Sequence, residues 1–344
     1  MNISFRMLRF IPIHHFLGQI PFVFLAITIL ATRTGSAKQP RPHLRVTTIL
    51  NHPYVMLKHG STDEYIGFIP DLLSKLADRM MLDYTLKVAP DSKYGVRNRL
   101  TGNWDGMIGQ VYRNEADVAA SSIFYTKQRD NYVDFTIPFL NVSASIIYKK
   151  SEYAQKIRIT KASDLLNQDF YKFGTLSRGP IKIAFKRTNN SVYRDLWRKM
   201  DRFYPHVFYA TNDDALQRVR SDPRYAFILP KPIADYIVGR KPCELLQADS
   251  FLLNQRYCLV LKENSTYLWR FNYHLKELTK NGFLASMYRK WWINSAECSH
   301  HTAGGSSSFS AEVGNGTGVS KCSLYFRKVF IILILHLFTF HIHI

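Results

Sequence analysis

Residues 44–50 have the sequence LRVTTIL, residues 71–78 have DLLSKLAD, and residues 83–88 have DYTLKV. The first stretch is rich in β-branched residues and the third alternates apolar with polar positions, so both predict β-strands. The second places its apolar residues at helical spacing, which predicts a helix. A strand, a helix and a further strand in this order are typical of an α/β protein with largely parallel sheets.

The same alternation of strands and helices continues along the chain. Predicted strands cover residues 117–120, 133–135, 173–176, 207–210 and 225–229, and predicted helices cover residues 191–200 and 213–220. A chain of 344 residues is long enough for about two domains. Between its two halves lies a short junction, residues 148–156, with the sequence YKKSEYAQK.

The charge of the chain is strongly positive. The formal net charge is +20, which favours anionic partners. However, Lys and Arg are scattered along the whole chain, and no helix-turn-helix, zinc-finger or RNA-binding signature accompanies them. We therefore predict a solvated basic surface and no nucleic-acid partner.

Motifs that would indicate an enzyme are absent from the sequence. It has no nucleophile elbow, no His-Glu-x-x-His, no phosphate loop and no Cys-x-x-Cys. The adjacent pair His300 and His301 is more typical of solvated side chains than of a metal site. We predict that the protein is not an enzyme and uses no cofactor or metal.

The first 37 residues have the pattern of a secretory signal peptide. Arg6 and Arg9 form a basic start, residues 20–31 form an apolar core, and residues 35–37 (GSA) provide a small-residue cleavage site. A signal anchor is the alternative. A signal peptide predicts entry into the secretory pathway, with the product at the cell surface or secreted. The sequons at Asn141, Asn189, Asn264 and Asn315 are glycosylation candidates in that setting.

The C-terminal part of the chain changes in composition. Residues 299–328 form a stalk that is rich in Gly and Ser, and residues 329–344 form a hydrophobic tail. Small residues around Asn315, a polar spacer and a hydrophobic tail match a glycosylphosphatidylinositol (GPI) attachment signal, with Asn315 as the lipid attachment site. A short transmembrane anchor is the alternative, although the tail is shorter than the usual span. Either anchor predicts contact with a membrane.

Several motifs along residues 44–298 occur together in one known family. They are VTTILNHPYVM at residues 46–56, KYG at 93–95, WDGMIG at 104–109, ADVA at 116–119, Arg129, DFTIPF at 134–139, SDL at 163–165, FGTL at 173–176, RKPC at 240–243 and KWW at 290–292. In this order they resemble the ligand-binding domain of ionotropic glutamate receptors, closest in style to the AMPA and kainate types.

This resemblance implies an α/β fold, a two-lobed clamshell of the type II periplasmic-binding-protein kind. Lobe 1 would comprise about residues 44–142 plus 256–298, and lobe 2 about residues 143–255. In the family a membrane pore separates the two halves, whereas here the junction joins them directly. No apolar run of about 20 residues occurs between residues 44 and 298, so the chain as written has no such pore.

The cysteines fit a secreted protein. Four are present, at positions 243, 258, 298 and 322, and an oxidising compartment predicts at least one disulfide. The resemblance implies that Cys243 pairs with Cys298. Cys258 is then left over, and we predict a buried free thiol.

The resemblance also implies the ligand site. In the family an arginine binds the α-carboxylate of the ligand through its planar fork, and Arg129 falls at that position. The alternative is an ordinary surface arginine paired with Asp130. Tyr65 corresponds to the aromatic that covers the ligand, and Tyr257 to a second tyrosine of the cleft. Hydrophobic packing is the alternative role for both tyrosines.

The departures from the family pattern concern the other ligand contacts. Ser122 replaces a proline, and Phe124 replaces a threonine. After Gly179, Pro180 and Ile181 replace the small polar pair that holds the distal carboxylate. Pro230 replaces the acid that pairs with the ligand ammonium. An unpaired ammonium in a closed cleft costs several kcal/mol, so we predict a small carboxylate ligand that need not be an amino acid, with glutamate disfavoured.

Three functional hypotheses follow from the sequence. The first is an extracellular ligand-binding module without a pore, acting as a decoy or auxiliary of receptor subunits, or as a homodimer. The second is a ligand-gated channel subunit whose pore is missing from this sequence through splicing or a gene-model error. The third is an interaction domain that binds no small molecule.

Overall fold

The computed structural model describes residues 40–249 and 251–298. The predicted signal peptide, the Gly/Ser-rich stalk, the hydrophobic tail, Asn315 and the pair His300 and His301 lie outside these residues, as does Cys322. The predictions for those segments therefore remain predictions.

The first sheet takes its strands from both ends of the described chain. Its strands are β1 (His43–Thr48), β4 (Asp83–Val88), β5 (Val118–Ala119), β6 (Val133–Phe135) and β12 (Val260–Lys262), in the spatial order β4-β1-β5-β12-β6. β1 runs parallel to β4 and β5, whereas β12 runs antiparallel to β5 and β6. The late strand β12 thus returns to the sheet that the early strands build.

The second sheet comes from the middle of the chain. It contains β7 (Leu140–Lys149), β8 (Lys172–Gly174), β9 (Tyr225–Pro230), β10 (Leu245–Gln247) and β11 (Phe251–Tyr257). The order is β10-β7-β9-β8, and β11 also pairs with β7. Two short strands, β2 (Met56–Leu57) and β3 (Tyr65–Ile66), form a separate hairpin. The two sheets support the predicted clamshell, while the residue bounds of its lobes remain a prediction.

The helices lie between the strands. They are α1 (Phe68–Met80), α2 (Gly106–Tyr112), α3 (Glu152–Lys156), α4 (Pro180–Arg187), α5 (Ser191–Asp201), α6 (Asn212–Ser221), α7 (Lys231–Val238), α8 (Leu268–Lys280) and α9 (Phe283–Tyr288). Arg129–Asn131 and Ala162–Leu165 form short 3₁₀ turns, and Arg289–Ile293 forms a π-helical turn after α9. Among the described residues, no helix is long and apolar enough to cross a membrane.

Two sequence predictions differ from the observed strands. The sheets are mixed rather than largely parallel, because β12 and β7 run antiparallel to their partners. Residues 207–210 do not form a strand, and only Tyr209 bridges to Leu176. The Val207 carbonyl instead lies so close to Gly174 that a Cβ at Gly174 would clash with its oxygen. Tyr209 still exchanges backbone hydrogen bonds with Thr175 and Ser177, so the pairing is confined to one residue.

Aromatic rings form the centre of the core beside the first sheet. Tyr54 makes edge-to-face contacts with Phe68, Tyr257 and Trp292, with ring centroids 6.3, 5.6 and 5.3 Å away. The Trp292 indole Nε1 donates a hydrogen bond to the Pro232 carbonyl at 2.6 Å. Each fully buried ring contributes about 1.5–3 kcal/mol to the free energy of unfolding. Trp292 therefore ties this cluster to α7.

The junction at residues 148–156 is built into the second sheet. β7 ends at Lys149, the Lys150 amide donates to the Glu244 carbonyl at 2.7 Å, and α3 follows directly. The buried Tyr148 hydroxyl donates to the Ile159 carbonyl at 3.2 Å. The next strand, β8, lies in the same sheet with β9 between it and β7. The fused chain thus continues within one sheet.

The cysteines are arranged as predicted. Cys243 and Cys298 form a disulfide across a sequence separation of 55 residues. Cys258 is a buried free thiol, and burial raises its pKa to about 12. Within the described ranges no group of three or more His, Cys, Asp or Glu side chains could hold a metal ion.

Candidate functional site

Arg129 begins the 3₁₀ turn between β5 and β6. Its Nη1 donates to the Phe124 carbonyl at 3.1 Å, and its Nη2 donates to the Gly95 carbonyl at 2.8 Å. Both acceptors are neutral backbone groups, so these bonds orient the guanidinium without neutralising it. An arginine has five N–H donors, and three of them remain for other acceptors.

The side chain of Arg129 is half-buried. Burial lowers its pKa to about 10, and the pull of Tyr94 and Asp105 in the opposite direction is smaller. Among the described residues, no carboxylate lies within ion-pair distance of it. Its sequence neighbour Asp130 instead accepts a hydrogen bond from the Tyr125 hydroxyl at 2.9 Å. The alternative role, a surface arginine paired with Asp130, is therefore not what the structure forms.

A triangle of hydrogen bonds lies beside Arg129. The Asn51 Nδ2 donates to the Tyr94 hydroxyl at 2.9 Å and to the Ser122 Oγ at 2.8 Å, and those two oxygens are 2.9 Å apart. Burial raises the pKa of Tyr94, while its hydrogen bonds and the charge of Arg129 lower it. Tyr94 and Gly95 are adjacent, so the triangle and Arg129 share one stretch of backbone.

A cluster of packed aromatic rings includes Phe124. The rings of Phe124 and Tyr257 lie 4.6 Å apart, and the two residues also form an isolated antiparallel bridge. Tyr257 is buried against Tyr54 and Phe139, and burial raises its pKa. Tyr257 is thus part of the core cluster, which favours the packing role proposed for it as the alternative.

A cavity of about 390 Å³ lies between residues of the first sheet's loops and two helices, α6 and α7. Its lining comprises Ile49, Leu50, Asn51, His52 and Tyr94 on one side, and Asn212, Asp213, Leu216, Arg220, Ile233, Tyr236, Ile237 and Arg240 on the other. This volume falls within the range of small-molecule sites. Asn51 and Tyr94 belong both to this lining and to the hydrogen-bonded triangle.

The two arginines of the cavity already have acidic partners. Arg220 Nε lies 3.2 Å from Glu244 Oε1. Arg240 Nη1 lies 3.6 Å from Glu297 Oε1, and its guanidinium also donates to Ser295. These pairs distinguish both arginines from Arg129, which has only neutral acceptors.

Contacts across the cavity connect its two sides. His52 stacks on Tyr236 with ring centroids 6.3 Å apart, and the Arg240 guanidinium lies 4.4 Å from the same tyrosine ring. The Tyr236 hydroxyl also lies 4.0 Å from Met56 Sδ. The helix α7 is therefore in contact with the loop that follows β1.

Comparison with known proteins identifies the fold. Residues 42–152 match the family described as "Ligated ion channel L-glutamate- and glycine-binding site". The solved structure of a Drosophila muscle GluRIIB complex with glutamate superposes with a TM-score of 0.66 at 28% sequence identity, covering 73% of this chain and 99% of that chain. The fold is that of an ionotropic glutamate receptor ligand-binding domain. This confirms both the predicted resemblance and the predicted fold class.

Curated relatives of this ligand-binding domain are receptors. Glutamate receptor 3 of Mus musculus is 23% identical over 401 aligned residues, which cover 80% of this chain and 45% of the relative. Glutamate receptor 3 of Rattus norvegicus is 24% identical over 379 residues, covering 74% and 43%. The chain thus spans less than half the length of these relatives.

The structure brings some predicted ligand contacts of the domain together. Arg129, Phe124, Ser122 and Tyr257 form one connected group beside the first sheet, joined by the hydrogen bonds and the ring contact described above. Tyr65 is half-buried in the β2–β3 hairpin. Neither this group nor Tyr65 lines the cavity.

The other predicted contacts lie in the middle segment of the domain. Gly179 precedes α4, Pro180 is its first residue, and Ile181 is buried in its first turn. Gly179 has a φ of 152°, a conformation that favours glycine. Pro230 ends β9 and is buried, and its backbone pairs with Ala144. These side chains form no hydrogen bond with Arg129 in the described residues.

The acidic group nearest in sequence to Pro230 is already occupied. Asp235 accepts hydrogen bonds from Lys231 Nζ at 2.9 and 2.7 Å, from Gln247 Nε2 at 2.8 Å, and from the Tyr288 hydroxyl at 2.6 Å. Its two oxygens are therefore committed within the protein. Asp235 does not replace the acid that is missing at position 230.

Sequence reasoning missed Tyr94 as a site residue. Tyr94 borders the cavity, bonds to Ser122 and precedes the glycine whose carbonyl orients Arg129. Its signal was present, because Lys93-Tyr94-Gly95 is one of the motifs that carry the resemblance. The lining residues on α6 carried no comparable motif.

The predicted glycosylation sites differ in exposure. Asn189 and Asn264 are exposed, whereas Asn141 is half-buried within β7. The first two side chains are accessible from solvent in the folded domain. Modification at all three positions remains a prediction.

Proposed function

We propose that this protein is an extracellular ligand-binding module without a channel pore, which binds a small carboxylate through Arg129. The resemblance to receptor ligand-binding domains supports the binding role. The observation that carries it is the guanidinium of Arg129, which is half-buried and held by two neutral carbonyls. A bidentate carboxylate would supply the charge partner that the described part of the protein does not.

The same site is expected to disfavour glutamate. Its ammonium has no acidic partner at Pro230, and the nearby Asp235 is fully bonded within the protein. Its distal carboxylate would meet Pro180, which has no backbone N–H, and the apolar Ile181. Each missing contact leaves a charged group of glutamate poorly solvated in the cleft.

Isothermal titration of the purified protein with hexanoate and with L-glutamate tests this function. We expect hexanoate to bind more tightly than glutamate, and Arg129→Gln to weaken hexanoate by roughly 10- to 100-fold, because charge-assisted hydrogen bonds are lost. Arg129→Lys should recover little of the affinity, since lysine lacks the planar fork. Arg198→Gln, at an exposed arginine paired with Asp195, is the matched control.

Three results would contradict the proposal. Unchanged hexanoate binding in Arg129→Gln would show that Arg129 does not bind the carboxylate. Glutamate binding at micromolar concentration that disappears in Arg129→Gln would show that the site does not disfavour glutamate. No binding of any carboxylate by a correctly folded protein would favour the third hypothesis, an interaction domain without a small ligand.

A channel subunit is the second candidate function. It is favoured by the length of the glutamate receptor 3 relatives, of which this chain matches 43–45%. Sequencing the transcript across Lys150 to Lys156 separates the two candidates. A pore-coding segment inserted at this junction would establish the channel subunit, whereas direct continuity would support the module.

The location of the module follows from the predicted segments outside the described residues. A signal peptide over residues 1–37 and a GPI anchor at Asn315, or a short transmembrane anchor, would present it at the cell surface. There it could pair with receptor subunits as an auxiliary, compete for their ligand as a decoy, or form a homodimer. Release by a phospholipase specific for GPI anchors would distinguish the lipid anchor from a spanning one.

A further inference from the structure

Two lysines of α4 lie against a cluster of aromatic rings. Lys182 Nζ is 4.3 Å from the centroid of the Phe208 ring and 5.4 Å from that of the Tyr204 ring. The Trp197 ring, on α5, has its centroid 5.9 Å from Lys182 Nζ and 5.2 Å from Lys186 Nζ. We call these five residues the lysine–aromatic patch. The ring contacts restrict where both ammonium groups lie.

The two lysines of the patch have no carboxylate partner within ion-pair distance among the described residues. Burial and the neighbouring charge of Lys186 lower the pKa of Lys182, while Asp201 has a smaller opposing effect. A ring face attracts a cation but does not cancel its charge. The patch therefore holds two positive charges that repel each other and that an external anion would stabilise.

Further positive charge surrounds the patch. Residues 180–208 contain seven Lys and Arg residues and two Asp residues. Two of the cations are ion-paired, because Arg198 lies 2.9 Å from Asp195 and Lys199 lies 3.1 Å from Asp169. The exposed cations without such a partner in the described residues include Lys186, Arg187, Arg194 and Arg202. Cations that the sequence spreads over two helices are thus brought onto one surface by the packing of α4 against α5.

We propose that the lysine–aromatic patch binds a sulfated polysaccharide outside the cell. Such a polymer carries permanent negative charges along a linear chain, so successive sulfates can meet different cations on α4 and α5. Arg194 lies three residues before Trp197 and therefore extends the patch along the same side of α5. This inference takes only the extracellular location from the proposed function and does not use Arg129.

The rings and the location favour a sugar polymer over the other common polyanions. Tyr204 is 61% exposed and offers a flat apolar face with a polar hydroxyl, which suits the C–H face and hydroxyl groups of a sugar ring. Anionic lipids are concentrated in the cytoplasmic leaflet of membranes, which an extracellular module does not contact. The sequence also lacks the motifs of nucleic-acid-binding proteins.

Titration of the full protein with heparin tests the proposal. The double variant Lys182→Gln and Lys186→Gln should weaken heparin binding by roughly 5- to 25-fold, because one exposed ion pair contributes up to about fivefold. The double variant Lys182→Arg and Lys186→Arg keeps both charges and should keep most of the affinity. Added salt should weaken heparin binding by the unaltered protein, since it screens exposed charges. Heparin affinity that salt and the glutamine variant leave unchanged would overturn the proposal.

A second double variant controls for the total charge. Lys87 on β4 and Lys276 on α8 are exposed lysines, so Lys87→Gln with Lys276→Gln changes the net charge by the same amount. This control should bind heparin as the unaltered protein does. Thermal unfolding checks that every variant is folded. Equal weakening by the two glutamine pairs would show that net charge alone attracts heparin, and it would overturn the patch.

Other probes identify the partner and separate this inference from the carboxylate site. Heparin from which the sulfates have been removed should bind much more weakly than heparin, and equal binding would overturn the sulfate assignment. Binding to phosphatidylserine vesicles without binding to heparin would identify a lipid partner instead. Arg129→Gln should bind heparin normally. Loss of carboxylate binding in that variant therefore leaves this inference standing, and a failure to bind heparin leaves the carboxylate site standing.

Discussion

Arg129 illustrates how a single residue combines sequence position with environment. Its pKa of about 10 lies below the ordinary arginine value because burial disfavours the charged form. The group nevertheless stays protonated at neutral pH, so it presents a half-buried positive charge. Two backbone carbonyls fix its orientation. A charge held in place without a charged partner is the arrangement that a carboxylate ligand requires.

His274 on α8 makes a testable contribution to stability. Burial lowers its pKa, and the nearby charges of Arg79 and Arg270 lower it further, against a smaller opposing effect of Glu277. The unfolded chain therefore binds a proton at a higher pH than the folded protein does. The free energy of unfolding should fall as the pH is lowered through about 6.5, the ordinary value for histidine.

Urea unfolding at pH 7.5 and pH 5.5 measures this effect. His274→Gln should lose less stability between the two pH values than the unaltered protein, since it cannot take up the proton. The same substitution at His59, an exposed residue outside the cavity lining, serves as the control. An equal loss in the His274→Gln protein would show that other groups cause it.

At the scale of elements, α7 is held by polar contacts from several directions. Asp235 connects Lys231 of the same helix to Gln247 of β10 and to Tyr288 of α9. The Pro232 carbonyl receives the Trp292 indole N–H. Because α7 also lines the cavity, these bonds position Ile233 and Ile237 there.

Asp235→Asn should destabilise the protein by about 1–3 kcal/mol. The asparagine keeps the shape but removes the negative charge that Lys231 needs, and its amide N–H groups meet donors. Asp195→Asn is the control, because Asp195 pairs with Arg198 at an exposed position and should cost at most about 1 kcal/mol. Denaturant unfolding of both variants gives the comparison. Equal costs would mean that Asp235 contributes no more than a surface ion pair.

At the scale of the whole molecule, the chain passes from the first sheet to the second and returns. β7 belongs to the second sheet, and the later strand β12 belongs to the first sheet. The disulfide closes residues 243 and 298 over a separation of 55 residues, which bridges the segment that contains this return. Such a long closed loop restricts the unfolded chain more than the folded one.

Removal of this disulfide should lower the free energy of unfolding by about 2–4 kcal/mol. The double variant Cys243→Ser and Cys298→Ser, compared by thermal unfolding, measures the cost. Cys258→Ala is the control that leaves the disulfide intact. In the unaltered protein, the Cys258 thiol should resist labelling in the folded state, because Cys258 is buried and its pKa is raised to about 12. Rapid labelling of Cys258 would contradict the buried position.

Local periodicity in the sequence determined the α/β fold class. The resemblance of its ordered motifs to a known family implied the clamshell, the Cys243–Cys298 disulfide and a ligand role for Arg129, and that last role stays a prediction. The sequence predicted most strands and helices. The strand predicted at residues 207–210 was wrong, because the close approach of Val207 to Gly174 is seen only in the folded structure. Only the tertiary structure decided that Tyr257 belongs to the core, that Asp235 is already bonded, and that α6 and α7 face Tyr94 across a cavity. These facts depend on residues far apart in sequence, whose contacts arise only when the chain has folded.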